Sequence, residues 1–416
     1  MKKLVLLVAL CVLIPLASQA QVVAIRAGKL IDPETGTTSL NQVIIVEGQR
    51  IKAVGAGLQI PAGANVIDLS NSTVLPGLFD AHVHLLMTMR KERDNNNYFF
   101  TTLIDTNAYR AIQGVANARA MLESGFTTVR DIGNAGNYAD TDLRRSIEEG
   151  LVPGPTIINA GRIIAPYGGQ FHLQPEKRDL ATPEYYFADS QDELRKAIRE
   201  NIHYGARVIK LVVDDQQYIY SVEDIKFAVE EAGRAGLKVA THCWTEQGAH
   251  NAAMAGVASI EHGFRMSDET LQLAKKNSVV LVGTDFTEDA ARGMGIPDPK
   301  AFHLVWIDRL RRAYKIGVTM AYGTDVVYSV PGQTRGTLSI SFIDSFVEAG
   351  VPAKSIVKIM TTNAARLLGV EKERGAIRPG QFADIIATAD NPFDNIETLK
   401  HVSFVMKNGA VFKQGK

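Results

Sequence analysis

The strongest constraint on this chain is a rhythm that repeats through its middle: a helix-forming stretch, a glycine, then a short β-branched run. Gly125, Gly205, Gly236, Gly256 and Gly317 each stand between the two, where a left-handed helix cap is wanted. The pattern predicts helices over 107–124, 248–255 and 304–315, and helices opening at Ser190, Ser221 and Ser267, with Ser190 and Glu193 spaced as a capping box. It predicts strands over 126–131, 156–160, 206–213, 237–242, 259–262, 279–283 and 318–325. With an apolar strand at 74–85, this makes about eight βα units over roughly 290 residues, the length of a (β/α)8 TIM barrel. An open doubly wound sheet is the alternative, but no glycine-rich phosphate loop follows the first strand.

Both ends of the chain read differently. Residues 21–75 and 376–416 hold short β runs divided by Gly, Pro and Asn. Two such segments at opposite ends can pair, which predicts a composite β-sandwich domain beside a barrel over 76–375. Residues 1–20 carry Lys2 and Lys3, an apolar run from Leu4 to Leu16, and small residues at Ser18 and Ala20. That is the pattern of a secretory signal peptide, so a periplasmic or secreted protein is expected.

Composition excludes some classes. Cleavage after Ala20 would leave a near-neutral chain with no basic stripe, which argues against nucleic acid. No other apolar run is long enough for a transmembrane helix, so no membrane role is expected after cleavage. Cys243 would be the remaining cysteine, so no intrachain disulfide forms. Composition leaves a homo-oligomer open.

In a barrel of this kind the chemistry sits at the C-terminal strand ends. Those ends carry His82 and His84, then Lys210, His242, His262 and Asp325. His82 and His84 are two apart on a strand and so share a face. Each residue alone has a plain alternative: a packed histidine, a helix cap, a salt bridge at the barrel mouth. Together in this order they point to metal. Four imidazoles and an aspartate exceed the needs of one tetrahedral zinc. A lysine ammonium has no lone pair, but the carbamate formed by CO2 and the neutral amine has two oxygens and can bridge two cations. His203, His250, His303 and His401 fall outside such positions and read as structural or solvated.

The runs Pro76-Gly77-Leu78-Phe79-Asp80-Ala81-His82-Val83-His84, Ile209-Lys210, Thr241-His242, Ile260-Glu261-His262-Gly263 and Gly323-Thr324-Asp325 resemble the amidohydrolase superfamily. The similarity is to its prolidase-like or imidazolonepropionase-like branch, which includes Xaa-Pro dipeptidases and metallocarboxypeptidases, and it covers essentially the whole chain after residue 20. The resemblance implies two divalent ions, zinc by default, with manganese or cobalt as alternatives. It implies that His82, His84 and Asp325 hold the more buried ion and His242 and His262 the more exposed one. N-carboxylated Lys210 would bridge them, and Asp325 would move the proton. One departure stands out. Relatives often place histidine directly after two glycines, whereas here the run is Gly168-Gly169-Gln170-Phe171-His172. His172 is then a candidate substrate contact, or Gln170 replaces it. Tyr220 is a candidate donor to a substrate carboxylate, and Arg335 a further candidate. Each has the alternative of a loop residue without a catalytic task.

The leading expectation is a binuclear hydrolase cutting an amide in dipeptides or N-acyl amino acids. Its rivals are an imidazolonepropionase-like cyclic amidohydrolase or mononuclear deaminase, and a non-catalytic binding protein on the same fold.

Overall fold

A computed structural model describes residues 22–133 and 135–415. The signal-peptide expectation at 1–20 lies outside them. The structure is mixed α/β, with a large sheet drawn from both ends of the chain. Strands β1 (Val22–Asp32), β2 (Thr37–Glu47), β3 (Arg50–Ala56) and β4 (Asn65–Pro76) come from the N-terminal side. Strands β5 (Leu78–Val83), β6 (Phe126–Asp131), β7 (Thr156–Asn159), β8 (Ile163–Ala165) and β9 (Tyr185–Phe187) follow. Then come β10 (Ile209–Val212), β11 (Val239–Cys243), β12 (Ser259–His262) and β13 (Val280–Val282). The last are β14 (Ile385–Thr388), β15 (Phe404–Lys407) and β16 (Ala410–Gln414).

The terminal strands form one seven-stranded sheet in the order β16-β15-β14-β4-β1-β2-β3, not the two stacked sheets of the expected sandwich. The reason is β4. It pairs parallel with β1 on one side and antiparallel with β14 on the other, which joins the two chain ends edge to edge. The far edge curls back: Ile51 and Gln381 share a backbone hydrogen bond, as do Gly380 and Ile51, and Ala383 and Gln49. An apolar cluster that includes Ile25, Ile44, Ile67, Ile385 and Phe404 lines the interior of this curl.

The middle of the chain gives a three-stranded sheet, β5-β6-β7, and a six-stranded sheet, β13-β12-β11-β10-β8-β9. Their ladders are parallel, and helices connect most strands on the outside. Ser190, Ser221, Thr245, Ser267 and Thr287 cap five of these helices through their side chains, and Gly256 and Gly317 end two with positive φ. Glu193 reaches back to Ser190 Oγ and to the Asp189 amide, so the capping box expected at Ser190 closes one residue early.

Among the described residues a single closed ladder of eight strands is not found. Two irregularities account for this. The third strand position is split into β7 and β8 by residues 160–162. Residues 318–325, expected as the eighth strand, bond on both sides without forming a regular strand. Leu281 donates to the Thr319 carbonyl and Ala321 to that of Leu281. Ala81 donates to the Tyr322 carbonyl, while Thr324 and Asp325 both donate to the His82 carbonyl. On the other flank, Arg207 and Val208 donate to the Asn159 carbonyl, which links β7 to the start of β10. Among the described residues no helix is long and apolar enough to cross a membrane.

Candidate metal centre

The six residues expected from strand ends line one cavity of about 240 Å3. His82 lies on β5, with His84 one residue past its end; Lys210 is on β10, His242 on β11, and His262 closes β12. Asp325 ends the irregular 318–325 segment. The five basic side chains are nearly sealed from solvent. Ring centres of His82 and His84 are 5.3 Å apart, those of His82 and His262 4.9 Å, and those of His242 and His262 4.5 Å. Asp325 Oδ1 stands 3.2 Å from His84 Nε2 and 3.7 Å from His82 Nε2. A larger cavity of about 850 Å3 lies at the opposite strand ends, and the described residues lining it include no histidine or carboxylate.

The outer nitrogens fix the tautomers. His82 Nδ1 lies 2.9 Å from Glu261 Oε2, and Glu261 Oε1 accepts from Arg130 at 2.6 Å. Burial pushes the Glu261 carboxyl up, but Arg130 and His82 hold it well below the usual carboxylate range. A charged carboxylate only accepts, so His82 Nδ1 carries the proton and Nε2 offers a lone pair to the cavity. Burial lowers the His82 pKa to about 4, so the ring is neutral near pH 7. His84 Nδ1 faces the Gly133 carbonyl at 2.8 Å, which likewise leaves Nε2 inward. Burial works against a charge on His84, but Asp325 outweighs it and raises the pKa. His262 Nδ1 pairs with Thr284 Oγ1 at 2.8 Å, and burial together with His242 and His82 keeps the ring neutral.

This donor set fits divalent cations. Ligand atoms of His82, His262 and Asp325 lie within 4.8 Å of one another. His242 Nε2 is buried and faces Asp215 Oδ2 at 2.8 Å. Imidazoles with an outer Nδ1 partner and an inward Nε2 are the usual arrangement of metal-binding histidines. Lys210 is the one ammonium among the cavity-lining residues, and burial lowers its pKa to about 8.

The backbone is strained where these groups emerge. His262, Thr284 and Asp325 have φ of 66°, 49° and 54°, left-handed values that non-glycine residues seldom adopt. Such outliers cluster at functional sites, where surrounding contacts hold them.

Two candidates are not brought in. Tyr220 is buried with its hydroxyl donating to the Ala188 carbonyl, so it pins a loop and is not among the residues lining the cavity. His172 is exposed, because Phe171 packs inward against Tyr98 and Phe99 and turns the next side chain to solvent. Gln170 lines the cavity instead. Arg335 is buried beside it and donates to the carbonyls of His84 and Met87 and to Thr88 Oγ1, so it braces the turn after β5. Cys243 is buried, as a packed small residue would be.

Glu261, Arg130, Thr284 and Trp244 were not singled out from the sequence. A charged residue inside the four-residue strand Ser259-Ile260-Glu261-His262 was a usable signal. The partnership of Thr284 with His262 was not, because it depends on which strand ends are neighbours.

A profile described as the amidohydrolase family matches residues 73–416. Ochratoxinase of Aspergillus niger is 28% identical, covering 95% of this chain and 87% of that protein. Imidazolonepropionase of Geobacillus kaustophilus is 23% identical, covering 89% of this chain and 90% of that one. The crystal structure of a Xaa-Pro dipeptidase with methionine bound in its active site superposes with a TM-score of 0.83 at 30% identity, covering 94% of this chain and all of that one.

Proposed function

The chain belongs to the amidohydrolase family and is a hydrolase of carbon–nitrogen bonds, and from that premise we propose that it uses two divalent cations to cut an amide in a dipeptide or N-acyl amino acid. One observation carries the reading: His82, His84, Lys210, His242, His262 and Asp325 converge on one cavity. We also read the two parallel sheets as arcs of a (β/α)8 barrel, supported by the backbone bonds that link β13 to β5 through residues 318–325. That barrel would span 76–375, with the terminal segments as its companion domain.

His82, His84 and Asp325 would hold one ion, His242 and His262 the other, and carboxylated Lys210 both; zinc is the default. When bound, such a pair activates water and polarises a carbonyl. The protein's own groups do the rest. The lowered pKa of Lys210 makes its neutral amine accessible, and that form adds CO2 with loss of one proton. Burial works against a charge on Asp325, but His82 and His84 keep its carboxyl low and ionised. It can therefore accept a proton from water and deliver it to the departing amine. Met87, Met89, Met294 and Trp244 line the cavity with apolar surface, which favours an amide flanked by an apolar group. We place the mature protein in the periplasm or outside the cell, on the strength of residues 1–20.

The test is a screen of dipeptides and N-acyl amino acids with metal-replete protein, read by amine release, beside the same protein after chelation. Turnover that needs metal, at close to two ions per chain, is expected. Undiminished hydrolysis by the chelated protein would sink the reading. One ion per chain with unmodified Lys210 would move it to the mononuclear deaminase or cyclic amidohydrolase class.

A further inference from the structure

We propose that Asp215, in the turn after β10, is a seventh ligand, serving the ion on the His242 side. This deepens the binuclear reading and rests on it. On the six-residue set that ion has two imidazoles and a share of Lys210, which leaves room for a carboxylate. Asp215 Oδ2 lies 2.8 Å from His242 Nε2, which is itself buried. A carboxylate oxygen and an imidazole nitrogen held this close sit where one cation could join both. Ligand atoms of Asp214, Asp215 and His242 all lie within 4.8 Å of one another.

Of the two carboxylates only Asp215 is free to ligate. Asp214 accepts from the Trp244 amide, the Thr245 amide and Thr245 Oγ1, and so holds the start of the helix Glu246–Ala255. Besides its contact with His242, Asp215 accepts from Gln170 Nε2 at 2.7 Å, and Gln170 Oε1 is in turn oriented by the Tyr185 hydroxyl at 2.6 Å. That chain is the outer support a ligating carboxylate commonly has. It also gives the displaced histidine motif a consequence: where relatives often have histidine, glutamine steers a carboxylate. Asp215 adopts φ of 96°, a value costly for a side-chain-bearing residue.

Asp215→Asn is the variant of choice, since asparagine tolerates positive φ and keeps the shape. Zinc binding is followed by calorimetry, and the visible absorption of the cobalt-substituted protein reports the ligand set. The expected result is two ions in the natural protein and, in Asp215→Asn, one binding step weakened at least about tenfold, with an altered cobalt spectrum. Unchanged binding and an unchanged spectrum would overturn the assignment. So would retention of both ions with kcat/KM lost only for dipeptides bearing a free amine, which makes Asp215 a substrate anchor. Fewer than two ions in the natural protein overturns the binuclear reading itself, and is seen before any variant is made.

Discussion

Glu261 shows how one buried carboxylate organises several neighbours. It accepts from Arg130 and His82, and so sets which His82 nitrogen faces the cavity. Glu261→Gln removes the charge while keeping the shape, and metal affinity should fall about 10–100-fold, measured by zinc titration. Little change would mean that packing alone orients His82. Lys210→Ala should lose activity and bound metal, and a small carboxylate such as formate, added at high concentration, should restore part of both. Failure of rescue with metal still bound would argue against a bridging carbamate. The ligand-type residues were legible in the sequence because strand ends are visible as ends of β-branched runs. Glu261 and Asp215 were not, because their meaning lies in a partner some 180 residues away for Glu261 and in a backbone angle for Asp215, neither of which spacing encodes.

At the scale of elements, the irregular 318–325 segment matters most. Its backbone binds β13 on one side and β5 on the other, and it delivers Asp325 beside His84. Gly323 makes the approach feasible: a Cβ there would stand 2.4 Å from Val282 Cγ1 and 2.9 Å from His82 Cβ. Gly323→Ala should cost about 1–3 kcal/mol by overpacking, seen as a lower Tm, and should displace His82 enough to cut turnover further than the stability loss explains. Turnover unchanged beside a lowered Tm would separate the strand from the site. Most helix starts and strand positions were legible, since Ser and Thr caps and β-branched runs are local signals. The split third strand and the irregular eighth were not. The irregular eighth answers to the close approach at Gly323, where a Cβ would meet Val282 and His82.

For the whole molecule, the sheet built from both termini carries a testable cost. Lys407 on β15 is buried, and burial, only partly opposed by Asp384, lowers its pKa from 10.5 to about 8. Between those values the unfolded chain binds more protons than the folded one, so this contribution to stability improves as pH rises. Below pH 8 the penalty is fully present. Lys407→Met should therefore raise stability by of order 1–3 kcal/mol at pH 7, with the gap in Tm closing toward pH 10. A lower Tm at pH 7 would show the ammonium to be well paired. The pairing of the two ends was legible from their shared texture, but the single curled sheet depended on β4 having partners on both edges. That same strand runs through Pro76 and Gly77 directly into β5, the strand of His82. Its neighbour β14 lies some 300 residues later in the chain. At about 5–20 residues per second of synthesis, the first histidines wait many seconds for the strand that anchors their support. On the two-ion reading, ion uptake would then follow the arrival of the last strands, and the ions would be those of the compartment in which these arrive.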